Sequence, residues 1–368
     1  MRNIITFVFM ALYLGAAQAQ ILIGQTAGYT GIVSPAVKEI ADGAKLYLDA
    51  TNARGGVYGQ KIELIALDDK FDPKLAAENA RILIEEKNVL ALFLGRGTPT
   101  TEAILPIIEK AGVPYLAPST GALSLHEPVK KHIFNVRAPY QAEGVLAVQH
   151  LSTIGITRIG VVHVDDGFGK DGLAGALKGF KAVNAKPLFI EKYDRTKPDL
   201  APIALRAAKE QAQAVIFVGA GGAVKDFVVA LRKEGSGAQL VTLSNNAAGS
   251  FITALGANAR GVIVTQVFPG ERNSGHPFVS EALTLATAKG IKDLTPAMLE
   301  GFAAAKVLVE ALNRTGANPT REKLQRTLDN FKPYDLGGKL IVEFSPKDHT
   351  GLRYADLSII TYDGKFKR

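Results

Sequence analysis

Short apolar runs alternate along the chain with amphipathic segments of helical length, and this alternation limits the possible folds more than any other feature. Apolar runs of strand length occur at 21–24, 61–67, 89–94, 113–116, 158–164, 214–218 and 240–243. Residues with apolar side chains at helical spacing lie between several of them, as at 37–54, 74–87 and 99–111. Strands that are apolar throughout and joined through helices form parallel sheets covered on both faces. The sequence therefore predicts an α/β fold with parallel sheets.

The alternation also repeats within the chain. Residues 64–95 and 188–219 both run from a strand through a turn with Asp and Pro and a helix into an apolar strand that ends in Gly. The chain has 368 residues, which is enough for two domains of ordinary size. Since no linker rich in Gly, Ser or Pro separates the two halves, we expect two lobes built on one plan and joined by ordered crossovers.

The first residues have the pattern of an export signal. Arg2 precedes an apolar stretch from Ile4 to Leu14, and Ala17-Gln18-Ala19 forms a cleavage signal before Gln20. The alternative is a transmembrane anchor, but the stretch is shorter than the ~20 residues that a spanning helix needs. We expect a signal peptide at 1–19 and a soluble, exported protein. The chain has no cysteine, which excludes a lipid anchor on cysteine, disulfides and thiolate metal sites.

The net charge of +8 raises the question of a nucleic-acid partner. Lys and Arg are scattered among Asp and Glu, and no basic stripe with interleaved aromatic residues is present. We therefore expect no nucleic-acid partner. The positive charge instead favours anionic ligands or an anionic membrane surface.

One segment resembles a cofactor motif. Residues 219–224 follow a predicted strand and open a predicted helix, as a dinucleotide site would, but the sixth position is Val224 and no acidic residue ends the next strand. The six histidines lie far apart without the spacing of a metal site. We expect neither a cofactor nor a metal ion.

Two pairs of adjacent carboxylates follow predicted strands, Asp68-Asp69 and Asp165-Asp166. Such pairs can perform acid–base chemistry, but they also form turns and cap helices, and we favour this second role here. No nucleophile motif accompanies them. The sequence thus favours a binding protein over an enzyme.

Two polar loops follow neighbouring strands, at 95–101 and 117–122. Thr98 fits the cap of a helix that begins at Pro99, and free N–H groups beside hydroxyls at a helix start can bind a carboxylate. The alternative is an ordinary cap that serves only its helix. Loops at the carboxyl ends of adjacent parallel strands share one crevice, where ligands bind. The predicted binding residues in these loops are Gly97, Thr98, Ser119, Thr120 and Gly121.

Several segments occur in a characteristic order: 52–57, 67–73, 97–98, 117–122, 134–137 and 166–169. On these segments, the chain resembles the leucine/isoleucine/valine-binding protein family, the type I periplasmic receptors of branched-chain amino acid ABC transporters. The resemblance covers nearly all of the chain after residue 19. It implies two Rossmann-like α/β lobes joined by a three-segment hinge, the type I periplasmic binding protein fold.

The resemblance also implies where the lobes divide and what they do. We expect lobe 1 at 20–138 plus 268–341 and lobe 2 at 139–267 plus 342–368, with crossovers near Ala138, Val267 and Ile341. A solute in the cleft would favour closed lobes, which then dock on a membrane permease. The expected function is a monomeric periplasmic receptor of an ABC importer. A periplasmic sensor that feeds a signalling partner is the alternative, and an enzyme on the same fold ranks third.

Family positions carried onto this chain suggest the ligand class. The resemblance assigns the ligand carboxylate to Thr98 and the loop 119–121, and an aromatic wall to Phe168. The small residues 219–223, with Ala220 among them, stand where other members place a second aromatic residue. The resemblance matches Ser244 to the acidic residue that pairs with the ligand ammonium, with no carboxylate nearby. The cysteine pair of many members is replaced by Phe71 and Gly97.

These departures favour a carboxylate without a free α-ammonium, such as an aromatic or branched oxo acid, over leucine or valine. A buried ammonium without a counter-charge is costly. A shift of a few residues in the alignment could instead bring Glu300 or Asp226 into the cleft and restore an amino-acid site. The expected partners are therefore a small ligand (an amino acid or an aromatic or oxo carboxylate) and a permease.

Overall fold

The structure is a computed structural model that describes residues 20 to 368, so the predicted signal peptide at 1–19 lies outside the described residues. Strands and helices alternate from the start of this range. The first part of the chain contains β1 (Ile21–Ala27), α1 (Ser34–Ala53), β2 (Ile62–Asp68), α2 (Pro73–Arg81), β3 (Ala91–Phe93), α3 (Thr98–Ala111), β4 (Tyr115–Leu116) and β5 (Ile133–Phe134). These strands form a five-stranded sheet in the order β2-β1-β3-β4-β5, with all neighbours parallel.

The middle of the chain builds a second lobe on the same plan. It contains α4 (Tyr140–Thr153), β6 (Ile159–Val164), α5 (Gly167–Ala182), β7 (Ile190–Tyr193), α6 (Ala201–Lys209), β8 (Ala214–Val218), α7 (Gly221–Lys233), β9 (Gln239–Thr242), α8 (Gly249–Leu255) and β10 (Ile263–Gln266). The strands β10-β9-β8-β6-β7 are parallel. The predicted two-lobed α/β fold is confirmed.

The chain then returns to the first lobe and crosses once more. It contains α9 (Pro277–Ala288), α10 (Pro296–Thr315), α11 (Arg321–Asp329), β11 (Tyr334–Asp335), β12 (Ile341–Val342), β13 (Asp356–Ile360) and β14 (Phe366–Lys367). The helix α10 packs along α1, whereas β13 joins the second sheet beside β10. None of the helices within residues 20–368 is long and apolar enough to cross a membrane.

The last two strands differ from the predicted parallel arrangement. Strands β13 and β14 extend the second sheet as an antiparallel hairpin, which makes this sheet mixed. A short turn at 361–365 connects them, with the Thr361 N–H bound to the Lys365 carbonyl oxygen. Only antiparallel strands can be joined by so short a turn, because a parallel pair needs a long crossover.

The hydrogen bonds near the C-terminus bear on the third crossover. Asn135 N–H donates to the carbonyl oxygen of His349 at 2.9 Å, and Leu352 N–H donates to that of Val136 at 2.9 Å. Residues 349–352 therefore still lie beside the first sheet. We propose that the third crossover falls between Leu352 and Asp356, later than the position predicted near Ile341. The crossovers near Ala138 and Val267 stay predictions.

The first lobe depends on a close approach of two helices. Gly301 in α10 faces the backbone of α1 so tightly that a Cβ at this position would overlap the carbonyl oxygen of Ile40. Gly43 in α1 has the same relation to the carbonyl oxygen of Met298. Buried apolar side chains of α1, including Ile40, Ala44 and Leu48, belong to the same core cluster as those of α10. The two glycines thus set the distance between the helices.

We expect Gly301→Ala to lower the free energy of unfolding by about 2–3 kcal/mol, because the added methyl group meets backbone atoms that cannot rotate away. Gly237→Ala is the control, since its Cβ would meet open space and the change should stay within about 0.5 kcal/mol. Urea denaturation followed by circular dichroism measures both. Equal midpoints for Gly301→Ala and the wild type would contradict the proposed contact.

Candidate functional site

A cleft of about 740 Å³, partly open to solvent, lies between the two lobes. Its walls are loops at the carboxyl ends of strands from both sheets, which is where open α/β sheets bind ligands. The first-lobe side is formed by Ile32, Val33, Pro35, Ala36, Phe71, Arg96, Gly97, Thr98 and Pro99. Tyr140 follows the first crossover, and the second-lobe side is formed by Phe168, Arg195, Ala220, Gly221, Gly222, Asn245, Asn246, Ala248, Ser250, Phe251 and Ala254.

Four of the eight predicted site residues line this cleft: Gly97, Thr98, Phe168 and Ala220. Phe168 packs edge-on against Tyr140, with 4.9 Å between ring centroids. Ala220 precedes α7 in an extended conformation, and its neighbours Gly221 and Gly222 leave the wall without side chains there. The structure thus brings these predicted residues of both lobes to one cavity. Their contact with a ligand stays a prediction.

Any residue with a side chain would be strained at the position of Gly97. Its φ of +100° lies in the left-handed region, and a Cβ there would overlap the ring of Phe71. The ring therefore packs directly on the backbone of the loop. These are the two positions at which the resemblance placed the missing cysteines, and they are in contact in the structure.

Thr98 differs from its predicted role as a helix cap. Gly97 is the N-cap residue of α3, and Thr98 is the first helical residue. Its hydroxyl lies 2.7 Å from the Thr120 hydroxyl, and its side chain is only 2% exposed. The prediction of a cap was wrong because the hydroxyl finds a partner in the next loop. The N–H groups of this first helical turn still lack partners within the helix.

Ser119, Thr120 and Gly121 lie behind the cleft wall rather than in it. All three are buried, and the Ser119 N–H, predicted to be available to a ligand, donates to the Gly95 carbonyl oxygen at 2.7 Å. The Ser119 Oγ accepts a 2.8 Å hydrogen bond from Arg96 Nη1. The loop therefore supports Arg96 and Thr98, because parallel pairing of Arg96 with Ser119 holds the two loops together.

Ser244 also lies behind the wall, and a carboxylate adjoins it. Its N–H and hydroxyl donate to the two oxygens of Glu143 at 2.8 and 2.9 Å, and its Oγ accepts from Arg137 Nη2 at 2.6 Å. The prediction that no carboxylate lies near Ser244 was wrong. However, Glu143 is fully buried and also binds Arg137 and Thr265, so its oxygens are already occupied.

The two carboxylates considered as alternatives do not line the cleft either. Glu300 lies in α10 with its Oε1 3.9 Å from Arg137 Nη1. Asp226 is exposed on α7, where it pairs with the neighbouring Lys225 at 3.1 Å. Among residues 20–368, the cleft is therefore lined without any Asp or Glu.

Two arginines line the cleft that were not among the predicted site residues. Arg195 donates from Nε to Asp166 Oδ2 at 2.8 Å and stacks over Phe71, with 5.2 Å from its central carbon to the ring centroid. Arg96 binds Ser119 and also donates from Nη2 to the carbonyl oxygen of Asn245 at 2.7 Å. Arg96 belongs to the loop predicted at 95–101, so its charge was a visible signal. No sequence pattern indicated its partner in the second lobe, the carbonyl oxygen of Asn245.

Other missed residues complete the walls, including Tyr140, Asn245, Asn246 and Phe251. The two asparagines follow Ser244 directly and hold the turn after β9, since each donates from Nδ2 to the Gly219 carbonyl oxygen at 3.0 Å. Burial raises the pKa of Tyr140, while the nearby Arg137 and Arg96 lower it. The phenol is therefore a neutral wall residue at physiological pH.

Contacts across the cleft hold the lobes together in this structure. Besides the bond from Arg96 to Asn245, both Glu39 oxygens accept hydrogen bonds from the second lobe, at 2.9 Å from Gly249 N–H and 2.7 Å from Ser250 N–H. These N–H groups belong to the first turn of α8, where a carboxylate is favourable. Side chains from both lobes can therefore contact one molecule in the cleft.

A family model described as periplasmic binding protein matches residues 20–364. The chain belongs to this family of periplasmic binding proteins. A substrate-binding periplasmic protein from Ralstonia solanacearum has a similar structure, with a TM-score of 0.87 and 30% identity over 94% of this chain and 99% of that one. An extracellular ligand-binding receptor from Verminephrobacter eiseniae is also similar, with a TM-score of 0.86 and 28% identity over 95% and 100% of the two chains.

Sequence relatives confirm the resemblance to leucine/isoleucine/valine-binding proteins. The Leu/Ile/Val-binding protein homolog 3 of Brucella melitensis biotype 1 is 24% identical over 88% of this chain and 87% of its own. The Leu/Ile/Val-binding protein of Escherichia coli (strain K12) is 26% identical over 51% of this chain, and an amino acid binding protein of Pseudomonas aeruginosa is 23% identical over 61%. The chain spans only 53% and 61% of these last two relatives.

The paired carboxylates after β2 and β6 form turns and caps, as favoured from the sequence. Asp166 caps α5, with Gly169 N–H donating to it at 3.0 Å. Asp69 is fully buried and accepts from Phe71 N–H at 2.8 Å and from the Thr26 hydroxyl at 3.0 Å. Burial raises the pKa of Asp69 to about 6, with a smaller contribution from Asp68 and Asp72 and against the effect of the two hydrogen bonds. Asp69 therefore holds the turn that places Phe71 in the cleft.

We expect Asp69 to make stability depend on pH. The raised pKa means that the folded state binds this proton more tightly than the unfolded state, where the pKa is near 3.8. Its contribution to stability is full below about pH 4 and is lost as pH rises through about 6. Asp69→Asn does not titrate. Its Oδ1 can still accept from the Phe71 N–H, and its Nδ2 can donate to the Thr26 hydroxyl, which reverses that hydrogen bond. The free energy of unfolding of the wild type should fall relative to this variant by up to about 3 kcal/mol as pH rises.

Urea denaturation of the two proteins at a series of pH values between about 4 and 7 measures this difference. The comparison with Asp69→Asn cancels the titration of all other groups. A constant difference across the series would show that Asp69 titrates normally in the folded protein.

Proposed function

We propose that the protein is a periplasmic receptor that binds a small solute between its lobes and delivers it to the permease of an ABC importer. The observation that carries this proposal is the cleft itself, which collects side chains from the strand ends of both lobes. A solute in this position contacts both lobes only when they are closed, so binding favours the closed form. Closure then converts occupancy into a change of surface that a permease can recognise.

The comparisons support a binding role. The family consists of binding proteins, and the relatives' names refer to branched-chain amino acids or to amino acids in general. The proposal accordingly contains no chemical step on the solute. The solute class is a small amino acid or a carboxylate, since the cleft offers a cation, first-turn N–H groups of α3 and the hydroxyl of Thr98.

The proposal includes three further properties: a periplasmic location, release of the signal peptide before Gln20 and a monomeric state. Mass spectrometry of the exported protein tests the cleavage, and light scattering tests the monomer. A thermal-shift screen first identifies a solute. Deletion of the gene then tests the transport role, measured as growth on that solute or as its uptake. Unchanged uptake together with a lost transcriptional response would favour the sensor over the importer.

We expect Thr98→Val to weaken solute binding about ten- to hundredfold, because Thr98 lines the cleft and we propose that its hydroxyl binds the solute, whereas valine keeps the side-chain shape. Thr120→Val is the matched control: it breaks the same 2.7 Å hydrogen bond from the other side, but Thr120 does not line the cleft. Calorimetric titration of both variants with the best solute of the screen separates the two effects. Equal losses of affinity would mean that Thr98 only supports the loop.

A further inference from the structure

The charges of the cleft are unbalanced. Of its two arginines, Arg195 is neutralised by Asp166. Arg96 is only 7% exposed, and its two recorded hydrogen bonds go to uncharged acceptors, the Ser119 hydroxyl and the Asn245 carbonyl oxygen. Within residues 20–368, no carboxylate lies within ion-pair distance of the Arg96 guanidinium. A buried cation without a counter-ion is costly, and the guanidinium has further N–H groups to donate.

Arg96 is held in a fixed position by contacts with uncharged groups only. Parallel pairing with Ser119 fixes its backbone, and the bonds from Nη1 and Nη2 fix its side chain between the two lobes. Holding the guanidinium in advance reduces the entropy lost when it binds a partner. Planar carboxylates match guanidinium geometry, so a carboxylate that enters the cleft could pair with Arg96.

We propose that Arg96 selects the solute, by binding the carboxylate of a small acid that carries no ammonium group. This inference rests on the receptor function proposed above and narrows its solute class. An amino acid would place an ammonium in a cleft that is lined by no Asp or Glu and already contains an unpaired cation. An acid without the ammonium instead neutralises Arg96 and leaves no charge of its own unpaired.

The remaining walls indicate the body of this acid. Four aromatic rings line the cleft: Phe71, Tyr140, Phe168 and Phe251. On the second lobe, Gly221 and Gly222 add no side chain to the wall, and the apolar side chain of Ile32 lies against Gly222 from the first lobe. Aromatic walls favour flat or branched apolar groups, which bury their surface against the rings. The proposed solute is thus an aromatic or branched-chain monocarboxylate.

The experiment compares an acid with its amide, which lacks the negative charge, and an oxo acid with the amino acid of similar shape, which adds an ammonium. We would titrate the protein with benzoate and benzamide, and with 4-methyl-2-oxopentanoate and leucine. The wild type is expected to bind the oxo acid more tightly than leucine, because the leucine ammonium would meet no carboxylate in the cleft. It is expected to bind benzoate about ten- to hundredfold more tightly than benzamide, as for a charge-assisted hydrogen bond. Arg96→Met should remove most of this preference, and Arg96→Lys should restore part of it.

The preference for acid over amide separates recognition of charge from support of the fold. If Arg96 only bridged the lobes, Arg96→Met would weaken benzoate and benzamide equally, and this result would overturn the proposal. Arg81→Met is the matched control, because it removes the same charge from an exposed position on α2 and should leave the preference unchanged. Melting curves of all variants establish that they fold.

The outcomes also separate this inference from the receptor function. Leucine binding that exceeds that of both acids and survives Arg96→Met would overturn the solute class while supporting a receptor. No binding of any of the four compounds would count against the acid class, and no binding across a wider screen of amino acids, sugars and amides would count against the receptor itself. Tight binding of an acid that depends on Arg96 supports both.

Discussion

The joint between the lobes depends on one buried guanidinium. Arg137 ends the first-lobe segment after β5 and binds Glu143 of α4 at 2.5 Å and Ser244 after β9 at 2.6 Å. Its plane also covers Tyr140, 4.5 Å from the ring centroid. Removing one partner of such a buried pair costs about 3–5 kcal/mol, because the other charge stays desolvated. The segment from Arg137 to Glu143 is therefore fixed to the turn after β9, although Arg137 and Ser244 are 107 positions apart in the sequence.

This joint explains why the cleft has a defined shape although its walls are loops. Ser244 is held from behind by Glu143, and the turn that follows it presents Asn245 to the cleft. On the other lobe, Ser119 holds Arg96 in the same way. The residues that line the cleft are thus positioned by buried neighbours that do not line it. Polar groups fixed in advance bind with a smaller loss of entropy than mobile ones.

How far the sequence predicted this arrangement depends on the range of each interaction. Strands β1 to β4, β6, β8 and β9 follow local periodicity and were predicted. No strand or helix was assigned after residue 243, so the antiparallel hairpin of β13 and β14 was among the elements that were not predicted. The loop containing Gly97 was predicted because its polar residues are adjacent in sequence. The roles of Thr98 and Ser244 were not, since the Thr98 hydroxyl meets a residue 22 positions away and Ser244 meets one 101 positions away. No local pattern encodes such pairs.

The packing of Phe71 on Gly97 has a consequence for how the protein folds. The binding loop is fastened by an aromatic ring instead of a covalent bond between sulfur atoms, and the chain contains no cysteine at all. Its folding therefore requires no oxidant and no disulfide isomerase, and it cannot be trapped by wrongly paired thiols. The packing of this loop does not depend on the redox potential of its surroundings, because no sulfur–sulfur bond contributes to it.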